Sequence, residues 1–197
     1  TFSSSDDSLS AAIPMGMTFP FYGSNFSSMK VSTNGWLTFS TTETATRNSN
    51  STLPSTSGAA NMVAIFWDDL HLRTGNVKYL YDGTRLIVQY TNVGRFSPST
   101  GQSYTFQVQL YPNGKIVTQY LSMTPTNLAS ATIGIQNALK TVGLAANFNV
   151  AYVHDNLAVQ FSRTPDWLSV TPSHAVVPPG ASANFDVGDF ELNYRMH

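Results

Sequence analysis

The chain has 197 residues, a formal net charge of −1, 11% charged residues and no cysteine. That charge balance offers no electrostatic footprint for nucleic acid or an anionic membrane surface. The lack of thiols excludes disulfides, thiolate metal sites and cysteine nucleophiles.

Polarity comes instead from Ser, Thr, Asn and Gln, and 12 Phe, 9 Tyr and 3 Trp favour strands over disorder. No run of ~18 apolar residues is present, so no membrane insertion is expected. The chain opens on Thr1, and a preceding N-terminal piece is expected to have been removed or omitted.

Almost nothing has helical periodicity. Short apolar blocks alternate with Gly, Pro, Asn and Asp. "MTFPFYG" (17–23) reads as a short aromatic strand, with Pro20 marking an edge or a bend. "MKVSTNGWLTFS" (29–40) carries the hairpin signal Asn34-Gly35. The residues 41–60 read as a long polar loop. Within it Asn50-Ser51-Thr52 matches a glycosylation acceptor, as does Asn25-Phe26-Ser27 before it. Such triplets arise often by chance in a chain of this composition. "NMVAIFWDDL" (61–70) is a continuous apolar run, the pattern of a strand buried on both faces.

Two hairpins follow, 76–93 turning at Asp82-Gly83 and 103–123 turning at Asn113-Gly114. In the second, Tyr104, Phe106, Val108 and Leu110 alternate with Thr105, Gln107 and Gln109, which predicts one buried and one wet face. "ATIGIQN" (131–137) and "LAVQF" (157–161) complete about nine or ten strands. The expected fold is all-β: an antiparallel two-sheet sandwich, jelly-roll-like. A boundary is expected near Arg163-Thr164-Pro165, dividing a β-sandwich module (1–163) from a shorter segment (164–197). That segment is too short to bury a core of its own.

Four aspartates stand out. In a strand, Asp68 and Asp69 point to opposite faces. They therefore cannot flank one glycosidic bond, which needs two carboxyl groups across a shared cleft. Calcium is the better use for acidic residues at strand ends. Asp6 and Asp7 could converge with Asp68 and Asp69 around such an ion. The rival partner for an inward aspartate is a set of backbone amides, and this is the expected one. His71, His154, His174 and His197 show no metal-binding spacing. His154-Asp155 invites a serine triad, yet no Gly-x-Ser-x-Gly elbow is present. Among the aromatics, Phe96 and Trp36 are candidates for stacking on a glycan, although most large aromatics in such a chain belong to the core.

"SDDSLSAAIPMGMTFPFYG", "MKVSTNGWLTF", "LPSTSGAANMVAIFWDDL", "YTFQVQLYPNGKIVTQY", "ATIGIQN" and "AYVHDNLAVQF" occur in this order. Together they resemble a β-sandwich accessory module of large secreted bacterial proteins, often attached to subtilisin-like proteases. The order "NGWLTF", "AIFWDD", "TFQVQLYPNG" distantly resembles the extracellular nidogen-type domain, an adhesive module. "PDWLSVTPSHAVVPPGASANFDV" resembles the start of a bacterial immunoglobulin-like repeat, which the closing "GDFELNYRMH" does not continue.

The resemblance implies an extracellular or cell-surface location and a non-catalytic role in adhesion, protein–protein contact or spacing. Expected partners are other protein modules or copies of the same chain, with glycans a further class. No cofactor is expected beyond a structural calcium ion. Two rivals remain: a fibre subunit assembled by inter-chain strand addition, and a carbohydrate-binding module.

Overall fold

The computed structural model describes residues 2–3, 6–98, 101–163, 170–171, 186–187 and 194–196. All regular structure among them is β. The strands run β1 (Phe2–Ser3), β2 (Ile13–Phe21), β3 (Ser24–Ser32), β4 (Trp36–Thr38) and β5 (Met62–Trp67). Next come β6 (Leu70–His71), β7 (Asn76–Tyr81), β8 (Leu86–Arg95), β9 (Tyr104–Leu110) and β10 (Ile116–Met123). The last are β11 (Thr132–Gln136), β12 (Gly143–Phe148), β13 (Leu157–Arg163), β14 (Val170–Thr171), β15 (Asp186–Val187) and β16 (Tyr194–Met196).

Fourteen of them form two antiparallel sheets, the expected sandwich, and β14 and β15 pair separately. The smaller has the order β12-β11-β5-β4-β3-β2. The larger has the order β1-β7-β8-β9-β10-β13-β16, with β6 beside the end of β8. Hairpins join β2 to β3, β7 to β8, β9 to β10 and β11 to β12, whereas β5 beside β11 and β10 beside β13 bring together strands distant in sequence. Asp82 Oδ1 accepts the amides of Thr84 and Arg85 at 2.9 Å each, which fixes the β7–β8 turn. Asn113 Oδ1 accepts the Lys115 amide in the β9–β10 turn. Pro20 lies in β2, which is an edge strand, where a missing amide costs no ladder bond.

One continuous core fills the space between the sheets, with Val63, Ile65 and Phe66 of β5 at its centre. Two buried phenols cross it. Tyr90 donates to the Ser32 carbonyl and Tyr120 to the Ile65 carbonyl, both at 2.6 Å. Burial pushes both phenols far above their usual range, so they stay donors at every physiological pH.

The 41–60 stretch is more than a polar loop. It covers the outer face of the small sheet, where Leu53 and Ala59 pack with Trp36, Met62, Ala64 and Trp67. Both indoles donate to the Arg47 carbonyl, at 3.3 Å from Trp36 and 2.7 Å from Trp67. This explains why β5 is buried on both faces.

β12 has no counterpart in the sequence reading. At the C-terminal end, β16 pairs with β13 and β14 with β15. The expected boundary at Thr164-Pro165 and the Pro-rich turns within 172–185 lie outside the described residues.

Candidate functional site: an acidic crossover between the sheets

The chain leaves the small sheet at Trp67 and joins the large one at Leu70, which pairs with Arg95. Asp68 and Asp69 are the crossing. A bulge just before them sets their directions. The amides of Ile65 and Phe66 both donate to the Gly35 carbonyl, at 2.9 and 3.0 Å. Two successive side chains therefore face the main core, and the alternation slips by one.

Asp68 turns inward and is 4% exposed. Its Oδ2 lies 2.7 Å from Arg95 Nη1 and accepts the Ser130 hydroxyl at 2.7 Å. Its Oδ1 accepts the Asp69 amide at 2.8 Å. Arg95 also meets the Ser130 hydroxyl. Burial pushes the Asp68 carboxyl up, against the pull of Ser130, Arg95 and the Asp69 amide. The inward aspartate thus has a cation and one amide, and the cation is a side chain of the same protein.

Asp69 turns the other way. One ligand oxygen from each of Asp6, Asp7 and Asp69 lies within 4.8 Å of the others. Asp68 is not in this group. The N-terminal segment reaches the crossover because Asp6 bridges His71 and Leu9 bridges Ser32. The Ser8 amide donates to Thr33 Oγ1, and the Thr33 amide donates to the Ser8 carbonyl, both at 2.9 Å.

Asp7 adopts φ 46°, a left-handed backbone, and its two oxygens accept from the Asn34 and Asn48 amides at 2.8 and 3.0 Å. Asp6 Oδ1 is buried and has no hydrogen-bond donor among the described residues. Burial first, and then the charges of Asp7, Asp6 and Asp68, push the Asp69 carboxyl up. Three carboxylates thus repel one another at a place where two are held by other contacts or by burial.

Asn34 is the residue that sequence reasoning missed. It reads as a turn former, yet it is fully buried. Its Nδ2 holds Asp7, its Oδ1 accepts the Leu70 amide, and its carbonyl accepts the Asp68 amide. Arg95 and Ser130 are far away in sequence, and no local signal ties them to Asp68.

The two glycan candidates do not form one platform. Trp36 is fully buried, so it presents no ring to a ligand. Phe96 is 51% exposed, with its ring stacked on His71 at 6.5 Å. Asp155 Oδ1 accepts the Met123 amide, which engages that carboxylate in the fold. Asn50 Nδ2 donates to Ser130, Thr132 and Asn149, so that acceptor triplet is engaged internally.

Neither the curated proteins nor the solved structures include a match to this chain. A family model described as NIDO related matches residues 1–172, and the chain belongs to that family.

Proposed function

We propose that this chain is a contact module of an extracellular or cell-surface assembly, and that it meets other copies of itself through the edge of its small sheet. NIDO-related domains are in general non-catalytic modules, and the carboxylates that first invite chemistry face apart here. The observation that carries the reading is the edge strand β12 with its flanking loops. Among the described residues, five of the nine exposed large hydrophobic side chains lie within 139–152: Leu139, Val142, Phe148, Val150 and Tyr152. An apolar stretch beside a strand that ends its sheet among the described residues is a contact surface in the making.

Sedimentation velocity across a concentration range tests this. Self-association is expected for the parent chain and at least about tenfold weakening in Leu139→Asp/Val150→Asp. A parent that stays monomeric throughout would remove the reading. The fibre alternative, with the C-terminal segment exchanged between chains, requires the pairing of β16 with β13 to open first. Of the two aromatic glycan candidates, Phe96 alone is exposed.

A second reading concerns the acidic crossover. Asp6, Asp7 and Asp69 supply the hard oxygen donors that calcium prefers, and the buried Asp6 Oδ1 has no hydrogen-bond donor among the described residues. Saturating calcium is expected to raise the melting temperature by roughly 5–10 °C over chelator. Indifference to chelator would end this reading.

The pH dependence carries its own sign. A carboxyl whose folded pKa is raised, as for Asp69, stabilises below its unfolded pKa and loses that contribution as pH rises through the folded value. Without calcium, Asp69→Asn should therefore stabilise at neutral pH and have little effect in acid. With calcium the same substitution should destabilise at neutral pH. Melting curves in both buffers check the reversal.

A further inference from the structure

We infer that the outer face of the large sheet carries a binding groove for a neutral oligosaccharide. The inference is independent of the contact edge and of the acidic crossover.

Strand register aligns Lys78, Gln89, Gln107, Gln119 and Ala158 in one row across β7, β8, β9, β10 and β13. Three glutamines thus stand side by side at the strand spacing of roughly 5 Å. A groove of about 300 Å³ opens along this row, lined among others by Gln89, Gln107, Gln119, Leu121, Asn156 and Leu157. Its size is at the lower end of what small-ligand sites need.

The amides are partly committed, in a way that orients the rest. Gln119 Oε1 accepts from Gln107 Nε2 and from Gln109 Nε2, both at 2.7 Å. Gln89 Nε2 donates to Thr91 at 2.9 Å. This leaves the Gln119 amide hydrogens as donors, and Gln89 Oε1 and Gln107 Oε1 as acceptors. The Asn156 side chain is uncommitted as well among the described residues. Amide hydrogen bonding between neighbours fixes these rotamers before any ligand arrives, which lowers the ordering cost of binding.

The lining selects the ligand class. No Asp, Glu, Lys, Arg or His lines the groove, so a charged ligand would lose its hydration without a counter-charge. An extended peptide gains most from a sheet edge, whereas this is a sheet face with its ladder bonds already made. A sugar hydroxyl both donates and accepts, and it matches a row of mixed amide donors and acceptors. Leu121, 67% exposed, offers an apolar contact for the C–H face of a ring.

The experiment titrates the folded chain with maltohexaose, cellohexaose and mannohexaose, and with a heparin-derived oligosaccharide as the charged control. Side-chain amide shifts and calorimetry provide the readout. At least one neutral probe should bind, with a dissociation constant on the order of 1 mM or below. It should shift the amides of Gln119 and Asn156. Gln89→Ala and Asn156→Ala should each weaken binding about fivefold, the loss of one net hydrogen bond. Gln89→Ala should change neither the melting temperature nor the self-association, since that side chain lies outside the core and the 139–152 edge. At Asn156, which has φ 61°, Ala costs some stability through the left-handed backbone alone, so binding by that variant is read at a temperature where its melting curve shows it fully folded.

Gln119→Leu should abolish binding. Its melting curve, compared with that of the parent, separates loss of the site from loss of the fold. Three results would each overturn the proposal: no neutral probe moving these amides, tighter binding of the charged control, or full binding by Gln89→Ala and Asn156→Ala.

Discussion

Gly35→Ala is expected to cost roughly 4 kcal/mol or more, among the largest effects a single methyl can have. The backbone at Gly35 has φ 73°, a region costly for any residue with a Cβ. A methyl there would lie 2.1 Å from the Phe66 carbonyl oxygen. That oxygen is backbone and cannot swing away. Retreat of the turn is no remedy, because the Gly35 carbonyl accepts both bulge amides of β5 and neighbouring Asn34 holds Asp7 and Leu70. The control is Gly83→Ala. Gly83 has φ 90°, yet an added methyl meets nothing within 4 Å. Its cost should be only about 1 kcal/mol, the conformational share alone. Urea midpoints of the two variants decide the matter. Equal costs would show that left-handed backbone, and not the fit of the turn against β5, dominates at Gly35.

That contrast also shows what a sequence can and cannot disclose. Asn34-Gly35 and Asp82-Gly83 look alike as hairpin signals, and both do turn the chain. Only the burial of the first against β5 makes it central, and burial depends on contacts thirty residues away. The strands of 103–123 were legible because Tyr104, Phe106, Val108 and Leu110 alternate with polar residues. The alternation persists as far as Val108, whereas Gln109, expected on the wet face, is buried and hydrogen-bonded to Arg85, Tyr111 and Gln119.

β12 was not legible, because Gly143, Ala145 and Ala146 give neither alternation nor bulk. Asp68 and Asp69 do face apart, but not through strand alternation, because β5 ends at Trp67 and both lie in the crossing; the partner of Asp68 was not legible either. Arg95 arrives only through the pairing of β6 with β8, and Ser130 only through the loop before β11. The glutamine row was half legible. Gln107 and Gln109 read as a wet face, but the alignment with Gln89 and Gln119 is a matter of register between strands.

Removing the partner of Asp68 should expose how that crossing is held. Arg95→Met is expected to destabilise by roughly 3–5 kcal/mol at neutral pH, because a buried carboxylate is left with one hydroxyl and one amide. The loss should shrink on acidification. Without Arg95, the folded carboxyl of Asp68 is raised still further above its unfolded value. Its contribution is then fully present below the unfolded pKa and lost as pH rises through the folded one. Urea denaturation at about pH 7 and about pH 5 reads the difference.

Equal deficits at the two pH values would mean that Arg95 acts through packing of its stem and not through charge. The double variant Asp68→Leu/Arg95→Met separates the same two causes from the other side. If the uncompensated charge is what hurts, removing both partners should recover most of the stability, since a buried ion pair often gives little over an apolar pair of similar volume. The pair would then matter less for stability than for direction: with Asp68 held inward on Arg95 and Ser130, Asp69 faces Asp6 and Asp7.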